Sequence, residues 1–326
     1  MSQVVAVAGG TGDLGRTIVE AIIADGKFSV IALARKRKFG VGLANWSVQA
    51  DEVKEKQIGA RIQPVNYASV DDITKVLEEN NVHTVISALN IRESVEPELN
   101  LIAAADRAES TKRYVPSVWG PKFSREVAET SPLTKGKVVV TDALEKTSLK
   151  HSTWYIGFFA DYYVSPPLKT HVKLLPIVID VVNNAAGIPG SGNVPVTCTY
   201  TIDLAKFVAA SLSLPEWQKE TYLISDKLTW NQIVQLIESA KGVKFNVTYD
   251  SVETLEAGKI TELPGHVAAY PFWPKEQLQG LFAKFGLMFE GGVFDIQAEP
   301  SVAQDFPDIK LRSLKELLEE AWKPKV

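Results

Sequence analysis

Cysteine is almost missing from this chain of 326 residues: Cys198 stands alone, so no internal disulfide can form, and a reducing compartment is expected. Histidine is scarce as well. His83, His151, His171 and His266 fall at no spacing used by zinc sites, so no metal is expected. The chain has no apolar run of about 18 residues, and its start, MSQVVAVAGG, has no basic segment leading into an apolar one. Neither a membrane span nor a secretory signal is read there. The triplets at Asn45 and Asn246 are then chance matches to a glycosylation motif, and a cytoplasmic protein is the expectation. Charge of one sign is also lacking. A formal net charge of −4 offers no global attraction to nucleic acid or to an anionic membrane, so neither is expected as a partner. A composition of 45% hydrophobic and 23% charged residues excludes a disordered chain, a coiled coil and a collagen-like fibre.

What is present is an alternation of strand and helix signals. Val4–Ala8 is a short apolar run, followed by a glycine-rich turn and by Leu14, Ile18, Val19, Ile22 and Ile23 at helical spacing. Further strands are read at Phe28–Ala34, Arg61–Val65, Thr84–Leu89, Arg113–Pro116 and Ser152–Phe158. Helices are read between them at Asp71–Glu79, Pro97–Ala108 and Leu133–Leu149. This rhythm implies parallel β-α-β units and a doubly wound α/β sheet with helices on both faces. After about residue 160 the pattern becomes rich in turns and aromatics. Strands are expected at Pro176–Val182 and Val194–Tyr200, with helices at Leu204–Leu212, Trp230–Ala240 and Ser313–Trp322. The division expected is a nucleotide-binding domain over 1–160 and, over 161–326, a smaller lobe that binds substrate while some of its segments complete the sheet.

The turn Gly9-Gly10-Thr11-Gly12-Asp13-Leu14-Gly15 sits between the first strand and the first helix. Gly9 allows the tight turn, Gly12 lets backbone approach a pyrophosphate, and Gly15 allows close helix–strand packing. The helix N-terminus offers free N–H groups and the positive end of its dipole. In this context the turn predicts a Rossmann-type dinucleotide site, with Thr11, Asp13 and Leu14 as further contacts. The second strand, where an acid would take the ribose 2′-hydroxyl of NAD, instead ends Ala34-Arg35-Lys36-Arg37-Lys38. Cations there invite a 2′-phosphate. Two charge-assisted hydrogen bonds would favour NADPH over NADH by roughly 100-fold or more, so NADPH/NADP is the expected cofactor. Arg35 is the first choice for that contact, with Lys36, Arg37 and Lys38 unranked.

With these residues the chain resembles the NmrA-like and isoflavone reductase-like group of atypical short-chain dehydrogenases. The resemblance rests on the glycine turn, Val85-Ile86-Ser87, and Arg113-Tyr114-Val115-Pro116-Ser117-Val118-Trp119-Gly120. It also rests on Lys137 eight residues before Glu145, on Ile188-Pro189-Gly190 and on Thr201-Ile202-Asp203. The Tyr-x-x-x-Lys signature of ordinary short-chain dehydrogenases is absent, since none of the nine tyrosines has lysine four positions on. The resemblance implies that Lys137, in the helix after strand five, is the general acid/base. A lysine beside an apolar pocket has a lowered pKa suited to proton transfer. The resemblance further implies cofactor contacts from Ser87, Ala88, Asn90, Pro116 and Ser117. Where plant members read Pro-Ser-Glu-Phe-Gly, this chain has Val118 and Trp119, which lose an acid and enlarge an aromatic.

Trp119, Phe158, Phe159, Tyr162 and His266 are candidates to line a substrate pocket, and Asp203 reads as a helix N-cap. The resemblance implies NADPH-dependent reduction of a small apolar aromatic or heterocyclic metabolite of the kind met in fungal specialised metabolism, on a scaffold where hydride transfer can be coupled to cyclisation. Two alternatives remain: a redox sensor that binds the dinucleotide without turnover and regulates a protein partner, and an isomerase or cyclase that retains its cofactor.

Overall fold

The computed structural model describes residues 2–36, 52–130, 132–297 and 300–324. Its centre is a six-stranded sheet built from β1 (Val4–Ala8), β2 (Ser29–Arg35), β3 (Arg61–Val65), β4 (Val82–Ser87), β5 (Arg113–Val115) and β6 (Lys150–His151). The order is β3-β2-β1-β4-β5-β6 and every pairing is parallel. This is the doubly wound Rossmann arrangement. β1 shows why: Ala6 and Ala8 face one apolar layer while Val5 and Val7 face the other, so the strand is buried on both sides.

The layer under Ala6 and Ala8 is covered by α3 (Val70–Glu79), α4 (Glu96–Arg107) and α6 (Pro132–Leu144), through residues such as Ile73, Leu77, Leu101 and Val140. α5 (Arg125–Thr130) is a short helix that packs on α6. The opposite layer is covered by α1 (Asp13–Asp25), by α2 (52–58) and, from the second half of the chain, by α8 (Thr201–Ser211), which lies against α1. α1 ends at Gly26, whose left-handed φ of +71° closes the cap by an N–H donated to the Ile22 carbonyl.

Beyond β6 the chain does not continue as one strand to Phe158, as the sequence had suggested. It breaks into β7 (Thr153–Tyr155) and β8 (Phe158–Phe159). Gly157 is the reason: at φ +71° the chain turns so tightly against the segment around Thr197 that a Cβ would sit 2.3 Å from the Thr197 carbonyl oxygen. The second lobe follows, with α7 (Asp161–Val164), β9 (Ile179–Asp180), β10 (Ala185–Pro189), β11 (Pro195–Thr199), β12 (Glu220–Tyr222), β13 (Asp226–Thr229), α9 (Trp230–Lys241), β14 (Asn246–Asp250), α10 (Val252–Glu256), α11 (Lys275–Glu290) and α12 (Leu314–Trp322). β8, β11 and β13 form one small sheet and β9, β10 and β14 another, while β12 pairs with β7.

The expected strand Pro176–Val182 shrinks to Ile179–Asp180, because the Pro176 carbonyl is taken by a side chain and Val182 is turned to solvent. Phe158, Tyr163, Trp230, Phe289 and Phe294 interlock as the core of this lobe.

Candidate active site

In a doubly wound sheet the ligand crevice lies outside the carboxyl ends of the strands where the strand order reverses, here between β1 and β4. The glycine turn fills one side of that crevice. Gly9 has φ +73°, and a Cβ on it would come within 2.7 Å of the Ala88 carbonyl oxygen, so the loops after β1 and β4 touch. A Cβ on Gly15 would lie 2.3 Å from the Gly9 carbonyl oxygen. Gly12 differs: a Cβ there would meet only the Gly9 carbonyl oxygen at 3.8 Å, and Gly12 precedes α1 without any side-chain cap on the helix. Open space thus lies before uncapped N–H groups, the arrangement a pyrophosphate requires. Thr11 is half-buried, Asp13 is exposed in the first turn of α1, and Leu14 points into the core.

At the end of β2, Arg35 and Lys36 are both exposed. Lys36 is ion-paired with Asp72 of α3, whereas Arg35 has no ion-pair partner among the described residues. Arg37 and Lys38 lie outside the described residues.

Across the crevice the ends of β4 and β5 are held together by a buried acid that sequence reading overlooked. Glu98 of α4 is fully buried and accepts hydrogen bonds from the Ser87 hydroxyl at 2.5 Å, the Tyr114 hydroxyl at 3.1 Å and the Ser117 N–H at 3.1 Å. Burial pushes its pKa up, and these three donors oppose the rise. The Ser117 hydroxyl donates to the Leu89 carbonyl at 2.7 Å. Both serine hydroxyls therefore serve the loops themselves, and what Ser87 and Ser117 can offer a ligand is backbone. Ala88 is half-buried beside Gly9, Asn90 is exposed and accepts from the Arg92 N–H at 3.1 Å, and Pro116 is buried.

Lys137 lies on α6, whose first turns bring its side chain under the loop after β5. Its ammonium donates to the Trp119 carbonyl at 2.8 Å and the Val118 carbonyl at 3.4 Å, and stands 5.4 Å from the centre of the Phe123 ring. Gly120 makes the room: at φ +148° it carries no Cβ, and one would sit 3.0 Å from the Lys137 Nζ. Burial of the ammonium, with the Arg92 guanidinium adding to the effect, lowers its pKa to about 7. Two N–H donors are engaged, leaving the third.

Lys137 opens onto a cavity of about 910 Å3 that is open to solvent. The structure brings Trp119, Phe158, Phe159 and Tyr162 to its wall, as their selection from the sequence had proposed. Trp119 is oriented by its indole N–H, which donates to the Ser87 carbonyl at 2.8 Å. The Tyr162 hydroxyl is driven up to about 12 by burial.

His266 is not brought there, which corrects the expectation for it. It is fully buried, its Nδ1 accepts from the Leu263 N–H at 3.1 Å, and its Nε2 donates to the Pro176 carbonyl at 2.6 Å. Both nitrogens are spent on backbone, and burial lowers its pKa, so it is a neutral structural histidine. Asp203 is not an N-cap either. α8 starts at Thr201, and its first turn is served by Asp161, which accepts from the Thr201 N–H at 3.0 Å. Asp203 instead holds Arg312 at 2.9 Å from both its carboxylate oxygens.

The far wall of the cavity was missed in the sequence. It comes from α11, through Leu281, Phe282, Phe285 and Met288. The signal was available: Leu278, Leu281, Phe282, Phe285, Met288 and Phe289 recur at intervals of three and four.

Comparison with known proteins extends along the whole chain. The family model described as the NmrA-like family matches residues 1–318. The chain is 32% identical over 292 residues to "Oxidoreductase BOA1" of Botryotinia fuckeliana, covering 89% of each protein. It is 28% identical over 346 aligned positions to "Oxidoreductase swnN" of Metarhizium robertsii, covering 98% of this chain and 97% of that one. Among solved structures, the binary complex of leucoanthocyanidin reductase and NADPH from Vitis vinifera superposes with a TM-score of 0.74 at 19% identity, over 98% of this chain and 99% of the other. By its sequence along nearly its full length, and with a fold to match, the chain belongs to the NmrA-like family.

Proposed function

We propose that the protein is an NADPH-dependent reductase of a small apolar aromatic or heterocyclic metabolite, with Lys137 as general acid/base. The observation that carries this reading is the Lys137 ammonium: half-buried, anchored on the Val118 and Trp119 carbonyls, and lining an aromatic cavity. The oxidoreductase names of its fungal relatives and the NADPH in the leucoanthocyanidin reductase complex support it.

The glycine turn and the α1 N-terminus would hold the pyrophosphate, and Arg35 the 2′-phosphate. Bound NADPH supplies hydride from C4 of its nicotinamide. The protein's own contribution is proton transfer and exclusion of water. An ammonium with a pKa near 7 is about half protonated at neutral pH, and its remaining N–H would give a proton to a substrate oxygen or carbon as negative charge develops there. Trp119, Phe158 and Phe282 line the cavity and would orient a flat substrate beside it.

The test is deuterium transfer from C4-deuterated NADPH into small molecules of a source-cell extract, read by mass spectrometry, with wild type and Lys137→Ala in parallel. Label in one metabolite with wild type alone supports the reductase. Equal labelling by both proteins removes the role of Lys137. No label, with NADPH binding confirmed in the same sample, turns the reading toward a non-catalytic sensor or a cyclase that returns its hydride.

A further inference from the structure

One charged group in the cavity has no task in the chemistry above. Arg92 stands on the loop after β4, lines the same cavity as Lys137, and is exposed. No carboxylate among the described residues pairs with its guanidinium, although other arginines such as Arg107, Arg113 and Arg125 are each engaged. The described lining of the cavity contains no aspartate or glutamate at all. Its only charged members are Arg92 and Lys137, set among aromatic and aliphatic side chains.

An apolar chamber with two cations and no anion is electrostatically incomplete. Two like charges facing one cavity repel one another, and a guanidinium is built for bidentate contact with a planar anion. A neutral aromatic substrate would leave Arg92 unused, and a cationic one would be repelled.

We infer that Arg92 is a specificity-determining residue, and that the cavity takes aromatic molecules bearing a carboxylate or a comparable planar anion, which the Arg92 guanidinium binds. This rests on the reductase reading only for what happens next to the bound molecule, and it narrows that reading to acidic aromatic substrates. The same contact tunes the neighbouring lysine. Arg92 disfavours the charged form of Lys137, so an anion that neutralises Arg92 would help Lys137 keep the proton it is to donate.

The experiment is calorimetric titration of NADP-saturated protein with 2-naphthoate and with its neutral isostere 2-naphthamide, for wild type, Arg92→Leu and Arg92→Lys. Wild type should bind the carboxylate roughly ten- to a hundred-fold more tightly than the amide. Arg92→Leu should abolish that preference with amide binding intact, and Arg92→Lys should restore part of it. Equal affinities in wild type, a preference that survives Arg92→Leu, or no binding of 2-naphthoate overturns the inference. If Arg92→Leu instead weakens NADPH, the anion it serves belongs to the cofactor, and the inference falls while the cofactor reading stands. If wild type fails to bind NADP, the cofactor reading fails by itself, and the same pair of probes titrated into the cofactor-free protein still decides the role of Arg92.

Discussion

Lys137 is where a single residue has most at stake. Its amine would ordinarily titrate near 10.5, and burial holds it at about 7 in the folded protein. The folded value is depressed, so between about pH 7 and pH 10.5 the unfolded chain binds the extra proton and the folded one does not. Stability from this group therefore rises with pH across that window and is lost as pH falls through 7. Its proposed chemistry would run the other way, since a proton donor must be charged. Reduction measured as kcat/KM should fall about tenfold per pH unit above the Lys137 pKa. Lys137→Met should abolish this inflection and flatten the rise in stability measured by denaturant titration. An unchanged inflection in the variant would assign the titration to another group. Neighbouring glycine matters at the same scale: a Cβ at Gly120 would sit 3.0 Å from the ammonium and push it off its place on the two carbonyls.

The elements place these residues through their ends. β2 delivers Arg35 and Lys36 side by side, but α3 claims one of them, because Asp72 in its first turn pairs with Lys36 and also accepts from the Asn66 N–H at 2.9 Å. That division makes Arg35 the available cation. Arg35→Ala should weaken NADPH by roughly 10- to 100-fold while NADH changes little. Lys36→Ala should have a smaller effect on either. Fluorescence titration with both cofactors reads this directly, and equal loss of NADH and NADPH would remove the 2′-phosphate assignment.

The same elements show what was legible. The glycine turn, the basic end of β2 and the lysine of α6 are local patterns, and each could be read from a few consecutive residues. Glu98 could not, since a lone acid in a helix looks solvent-facing until β4 and β5 are seen to aim three donors at it. α11 was passed over for a different reason. Its apolar spacing is regular, but the segment before it, with Phe272 84% exposed, reads as irregular and draws attention from the helix that follows.

For the molecule as a whole, the two halves are joined by packing and by polar contacts, among them Lys122–Glu220, Lys150–Glu216 and a cluster at Glu20. α8 lies on α1, and Glu20 of α1 receives hydrogen bonds from Lys169 at 2.6 Å, His171 at 2.9 Å and Arg16 at 3.0 Å. Burial alone would raise the Glu20 pKa, but these partners pull it down to about 2. Stability from a depressed carboxylate is fully present above its unfolded pKa near 4.5 and is lost as pH falls toward 2. Lys169 is largely exposed, so screening limits the gain, and Glu20→Gln should cost about 1–2 kcal/mol at pH 7. The difference from wild type should shrink between pH 4.5 and 2, as followed by urea unfolding. A constant difference across that range would show that the charge of Glu20 contributes nothing. The segment 169–171 leads on to Leu175 and Ile177 of the cavity wall, so this junction also ties that wall to α1.

By itself the sequence determined the parallel α/β sheet, the dinucleotide turn and the position of Lys137 on its helix. These depend on periodicity and on glycine stereochemistry, which act between near neighbours along the chain. Only the tertiary structure decided which aromatics line the cavity, that His266 is spent on backbone, that Asp203 serves Arg312, and that Arg92 lines the cavity with Lys137 and pairs with no carboxylate among the described residues. Burial and charge pairing are properties of space. Side chains separated by tens of residues share a dielectric and a set of partners only after the sheet, α6 and α11 have closed around them.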